Sequence, residues 1–147
     1  PDAFDLPFLT AQVEQQPDDH RQRHQHHQRL LDQLDGPDIV IAHSLGSVIA
    51  HQTLAAHPDV AVNTLLTLGS PLGAPPFTTA GEWPGSTTRW VNVVALTDPV
   101  TRPGRVPERF GSKVEERLVD NGHRAHHPEP YLNSRAVGDV VAAALAT

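Results

Sequence analysis

The sequence predicts an α/β fold, a mostly parallel sheet with flanking helices and about four visible strands. Three observations carry that expectation. The apolar run Ile39-Val40-Ile41 leads through a tight turn into a stretch with apolar or small residues at 45, 48, 49, 53 and 56, a strand followed by a helix. Further apolar runs recur downstream, separated by stretches rich in Pro, Gly and polar residues. The chain then closes on Val137, Val140, Val141, Ala144 and Leu145, the i, i+3, i+4, i+7, i+8 stripe of an amphipathic helix. Strands that alternate with helices favour parallel pairing, because the crossover must return the chain across the sheet.

In order along the chain, residues 1–10 are irregular and partly apolar (Phe4, Leu6, Phe8, Leu9), suited to packing over an edge or pocket. Residues 11–35 are polar and helical toward Leu30, Leu31 and Leu34, and Gly36-Pro37 stops that helix. A strand is expected at 38–42, a helix at 45–57, a strand at 64–69 and a Pro/Gly-rich stretch at 70–89. Strand 90–96, loop 97–114, strand 115–119, loop 120–130 and helix 133–146 follow. The strand at 38–42 should neighbour that at 64–69, with 90–96 beyond. It would then have one side without a strand partner, a poor place for an apolar strand. A longer parent chain is the favoured explanation; cover by the N-terminal segment, or self-association through the exposed edge, are the others.

Composition narrows the classes. The 147 residues suffice for a single domain with one core, taken here as 1–147. No run approaches the roughly 18 apolar residues of a membrane helix. A net charge of −6 disfavours nucleic acid as a partner, since no basic face exists to neutralise phosphates. The absence of cysteine excludes disulfides, zinc–thiolate sites and a thiol nucleophile. His20 and His24 stand four apart in a polar helix, but no third ligand converges on them, so neither a metal nor another cofactor is expected. The chain starts at Pro1 and contains no methionine, so the native start is expected upstream. The cytoplasm is the working expectation for compartment.

The chemistry-bearing motif is Ala42-His43-Ser44-Leu45-Gly46. A serine between a buried strand and a helix, with small residues two before and two after it, sits exposed on a tight turn that strand and helix can approach closely. The helix N-terminus beneath it presents unpaired N–H groups and a positive dipole end. The competing reading is a plain helix cap. Two later segments raise the odds of chemistry. Thr97-Asp98-Pro99 ends one strand, and the loop Asn121-Gly122-His123-Arg124-Ala125-His126-His127 follows another. Asp120 also ends a strand, but Asp120-Asn121-Gly122 is a strong turn signature. Spacing alone leaves His123, His126 and His127 open.

Serine, acid and histidine in that order resemble bacterial α/β-hydrolases of the serine esterase/lipase type. The resemblance is carried by IVIAHSLGSVIAHQTLAAHP, TLLTLGSPLG, RWVNVVALTDPV and LVDNGHRAHHPEPYL, roughly residues 38 to 132. Ala42 replaces the usual first glycine. The early strands of that fold, with the loop that supplies a second oxyanion donor, are not recognisable. The resemblance implies a partial α/β-hydrolase fold and a small-molecule acyl ester as substrate. It also implies Ser44 as nucleophile, Asp98 as acid and His126 as base with His127 the runner-up, while the Leu45 N–H is one oxyanion donor. Thioesterase or acyltransferase chemistry would use the same residues, and a non-catalytic hydrolase-like binding module is the other class. Of the remaining histidines, His43 is expected to be structural and to point away from the chemistry, and His51 and His57 to face solvent.

Overall fold

A computed structural model describes residues 20–34, 38–75, 77 and 81–146. The elements are α1 (His20–Gln33), β1 (Asp38–His43), α2 (Leu45–Ala56), β2 (Ala61–Leu68) and β3 (Ser86–Ala95). They continue with α3 (Arg105–Phe110), β4 (Glu115–Val119), a 3₁₀ turn (Gly122–Arg124), α4 (Pro128–Leu132) and α5 (Arg135–Leu145). The strands form one sheet in the order β1-β2-β3-β4, all parallel. The protein is therefore an α/β protein with its helices packed on the sheet. The neighbour relations and direction agree with the expectation from sequence. Among the described residues β1 is an edge strand, paired only with β2. The expectations for residues 1–10, for 11–19 and for the Gly36-Pro37 stop concern positions outside the described residues.

A parallel sheet buries both faces, and period-2 alternation sorts its side chains between them. Val40, Ala42, Leu65 and Trp90 join Val48 and Leu54 of α2, Leu30 of α1, and Val106 and Phe110 of α3 on one face. Leu66, Leu68, Val91, Val93 and Ala95 meet Tyr131 of α4 and Val137 and Val140 of α5 on the other. The pairing of β1 with β2 skips Asn63, so Val62 turns to the first face, with Leu65. Register between β2 and β3 is held by a buried pair: Thr67 Oγ1 donates to Asn92 Oδ1 at 2.8 Å and accepts from Trp90 Nε1 at 3.0 Å. A one-residue slip would strand these polar atoms inside the core.

Several boundaries differ from the sequence reading. β2 starts at Ala61 instead of 64, and β3 at Ser86 instead of 90, so the 70–89 stretch is shorter than expected. The presumed loop 97–114 contains α3, and the loop 120–130 contains the 3₁₀ turn and the start of α4. No helix among the described residues is long and apolar enough to cross a membrane.

Candidate active site

The three candidate side chains leave the C-terminal ends of three strands, and parallel pairing puts those ends on one edge of the sheet. Ser44 joins β1 to α2 with φ 54° and ψ −127°, the only non-glycine residue at positive φ among the described residues. Such a conformation costs about 1–3 kcal/mol and persists only where the surroundings enforce it. Here the Ser44 N–H donates to Leu68 O of β2 at 2.9 Å. The Ser44 carbonyl accepts from Ser47 N–H at 3.0 Å and from Ser47 Oγ at 2.5 Å. The turn is clamped from the sheet side and the helix side together. The first N–H groups of α2, Leu45 among them, have no partner within the helix.

Asp98 lies beyond β3, its side chain fully buried. Its Oδ1 accepts from Val100 N–H at 2.8 Å, and its Oδ2 accepts from Tyr131 Oη at 2.6 Å. Burial pushes this carboxyl up, but the bonds from His126, Tyr131 and Val100 outweigh it and hold the group below the usual carboxylate range. The approach is close: a Cβ on Gly69, at φ +54°, would stand 2.7 Å from Asp98 Oδ2 and 3.1 Å from the Tyr131 ring. Only glycine fits there. Burial, and the bond to Asp98, raise the Tyr131 hydroxyl far above its ordinary value, so it serves as a donor. It also accepts from Ala95 N–H at 3.0 Å, which ties the acid to the end of its own strand.

His126 joins the two. Its Nδ1 is 2.9 Å from Asp98 Oδ2 and its Nε2 is 2.8 Å from Ser44 Oγ. A buried carboxylate at Nδ1 can only accept, so Nδ1 carries the proton and Nε2 is free to accept from the serine. The ring is 31% exposed, enough for a ligand to reach the serine beside it. The structure thus brings Ser44, Asp98 and His126 together. Asp120 is exposed and accepts from Gly122 N–H, as a turn residue does. His123 and His127 are exposed, and His127 precedes the first turn of α4.

Two histidine expectations are overturned. His43 does not point away: its Nε2 bonds the His126 carbonyl at 2.6 Å, and the two rings lie 4.8 Å apart. It braces the residue that bears the candidate base. His51 is not solvent-facing but 3% exposed, bonded to Glu82 O at 2.7 Å and packed against Trp90 and Phe110. α2 is enclosed by the sheet on one side and α1 on the other, so little of it reaches water. His57 is half-buried. Tyr131 and His43 are the site residues that sequence reasoning missed. An aromatic ring with a polar tip, five residues after His126, was the available signal. No cluster of three metal-ligating side chains occurs among the described residues.

Burial lowers the His43 and His51 pKa values, and the Asp98 pKa is also lowered. A lowered folded-state pKa means that the unfolded chain binds more protons between the two values, so stability rises with pH there. The histidine contributions are complete above about pH 6.5, the unfolded value, and are lost as pH falls through the lowered folded ones. The Asp98 contribution is complete above about pH 4 and fades below it. The unfolding temperature should therefore fall steadily from pH 7 to pH 4, read by circular dichroism. A flat or rising profile would contradict the neutral, buried state of these histidines.

Comparison of the chain with protein-family models, with curated proteins and with solved structures gives no match.

Proposed function

We propose that the chain is a serine hydrolase, similar to α/β-hydrolases, that cleaves a small-molecule acyl ester. The observation that supports this best is the unbroken hydrogen-bonded series from Ser44 Oγ through His126 to the buried Asp98. In this reading Ser44 Oγ attacks the ester carbonyl while His126 Nε2 takes its proton. Asp98 keeps the ring in the required tautomer and stabilises the imidazolium. The carbonyl oxygen gains negative charge and meets the Leu45 N–H at the positive end of α2. His126 returns the proton to the leaving alkoxide, which departs as alcohol. Water then enters and attacks the acyl carbon as it loses a proton to His126; the bond to Ser44 Oγ breaks, His126 returns the proton to Oγ, and the acid departs. Charge develops on the carbonyl oxygen only in the transition state, so a fixed donor favours that state over bound substrate.

A fluorophosphonate probe should label the chain once, at Ser44, and Ser44→Ala should abolish the label. Hydrolysis of p-nitrophenyl acetate and butyrate should accompany labelling. A folded chain that neither labels nor turns over either ester would overturn the proposal.

A further inference from the structure

Beside the triad the loops after β2 and β3 face each other across a cleft of about 190 Å³. Its lining includes Ser70 and Leu72 on one wall and Val100, Thr101, Arg102 and Arg105 on the other. Both walls are tied to the proposed chemistry. Ser70 Oγ is 2.6 Å from Ser47 Oγ, which in turn bonds the Ser44 carbonyl. On the other wall, Val100 N–H donates to Asp98 Oδ1. The loop after β2 and the start of α3 also touch backbone to backbone, since a Cβ on Gly73 would meet the Arg105 carbonyl at 2.8 Å.

Four arginines elsewhere on the surface have carboxylate partners. Arg89 and Arg117 pair with Glu115, Arg124 with Glu129, and Arg135 with Asp139. Arg102 and Arg105 have no carboxylate partner among the described residues, although the chain carries a net charge of −6. Thr101, 6% exposed, has a buried hydroxyl without a hydrogen-bond partner. That hydroxyl is sealed from solvent and from the cleft alike, so it takes no part in the site. Arg102 and Arg105 thus bring two guanidinium groups without a carboxylate partner to one wall of the cleft.

We propose that this cleft receives a small oxyanion, a carboxylate or phosphate carried by the substrate, held by Arg102 and Arg105. Guanidinium forks match both oxyanions in geometry and charge. A cleft of this volume has room for a small oxyanion on a short chain. The inference rests on the ester-hydrolase reading for the reaction, which would then act on short esters that bear a negative charge. A protein of net negative charge repels anions in general, so any selectivity for one must come from local cations.

Two measurements separate the parts. Succinate and inorganic phosphate, each titrated into the chain at low ionic strength by calorimetry, should bind saturably. Binding should vanish in the Arg102→Gln/Arg105→Gln double variant and persist in Arg124→Gln, which removes an arginine already paired elsewhere. Independently, kcat/KM for p-nitrophenyl hemisuccinate should exceed that for p-nitrophenyl butyrate. The double variant should lose about tenfold or more on hemisuccinate and little on butyrate, with fluorophosphonate labelling intact. Neutral-ester turnover with no anion binding and no hemisuccinate preference would overturn the cleft and leave the hydrolase reading standing. Saturable, arginine-dependent binding in a chain that neither labels nor turns over ester would do the reverse.

Discussion

Ser44→Gly and Ser44→Ala should both be inactive, yet the glycine variant should be the more stable of the two. Removing the nucleophile of a hydrolase triad lowers kcat by about 10⁴–10⁶, the remainder coming from binding and oxyanion donors. The stability order is less ordinary. In most positions glycine is worse than alanine by about 0.5–1 kcal/mol, because the unfolded chain gains freedom. At φ 54° and ψ −127° the order reverses, since a Cβ is strained there and a hydrogen is not. Both variants lose the Ser44–His126 hydrogen bond, so that loss cancels in the comparison. A difference of about 1 kcal/mol corresponds to roughly 3 °C in unfolding temperature for a chain of this size. Thermal unfolding of the pair and their p-nitrophenyl ester kinetics test both halves. An alanine variant that outlasts glycine would deny the strain, and either variant within tenfold of wild type would move the nucleophile elsewhere.

That strained turn was the most legible part of the molecule. An apolar run bounded by Gly36-Pro37 and Ser44 leaves few ways to place a strand, and β1 is observed within one residue of its expected bounds. β3 was harder. Its first four residues, Ser86 to Arg89, are polar and partly exposed, so apolar patterning begins only at Trp90. α3 has six residues with a proline at its third, too short to establish a period. His51 departs from its expected exposure because α2 is buried on nearly every side, so that even its polar positions meet protein. Ser44, Asp98 and His126 could be nominated because each follows a strand, and parallel strands deliver their ends to one edge. Tyr131 could not. Its bond to Asp98 joins residues 33 apart and comes from α4, whose first three residues fall in the expected loop 120–130 and whose last two fall between that loop and the expected helix 133–146. The unpaired state of Arg102 and Arg105 is likewise a property of what surrounds them, which no local pattern encodes.

Asp98→Asn should cost about 10⁴ in kcat with little change in KM, and the hydrogen bonds explain why so small a change matters. Asp98 faces donors only: Val100 N–H at Oδ1, Tyr131 Oη at Oδ2, and His126 Nδ1 within 3.0 Å of both oxygens. Asparagine replaces one of those oxygens with an NH₂. Turned toward Val100, the NH₂ meets another N–H and leaves both unpaired. Turned toward Tyr131 and His126, it requires Nδ1 to accept, which moves the ring proton to Nε2. Nε2 then donates to Ser44 and can no longer take its proton. Tyr131→Phe is the informative contrast. It leaves Asp98 charged and bonded to His126, while Ala95 N–H loses its acceptor in the core. That variant should be destabilised by about 1–3 kcal/mol and yet stay within about tenfold of wild-type kcat. Steady-state kinetics and thermal unfolding of both variants give the comparison. If Asp98→Asn kept most of its activity, the carboxylate would not be setting the tautomer of His126. If Tyr131→Phe fell as far as Asp98→Asn, the hydroxyl would be holding Asp98 in its working position and could not be counted as a stabilising bond alone.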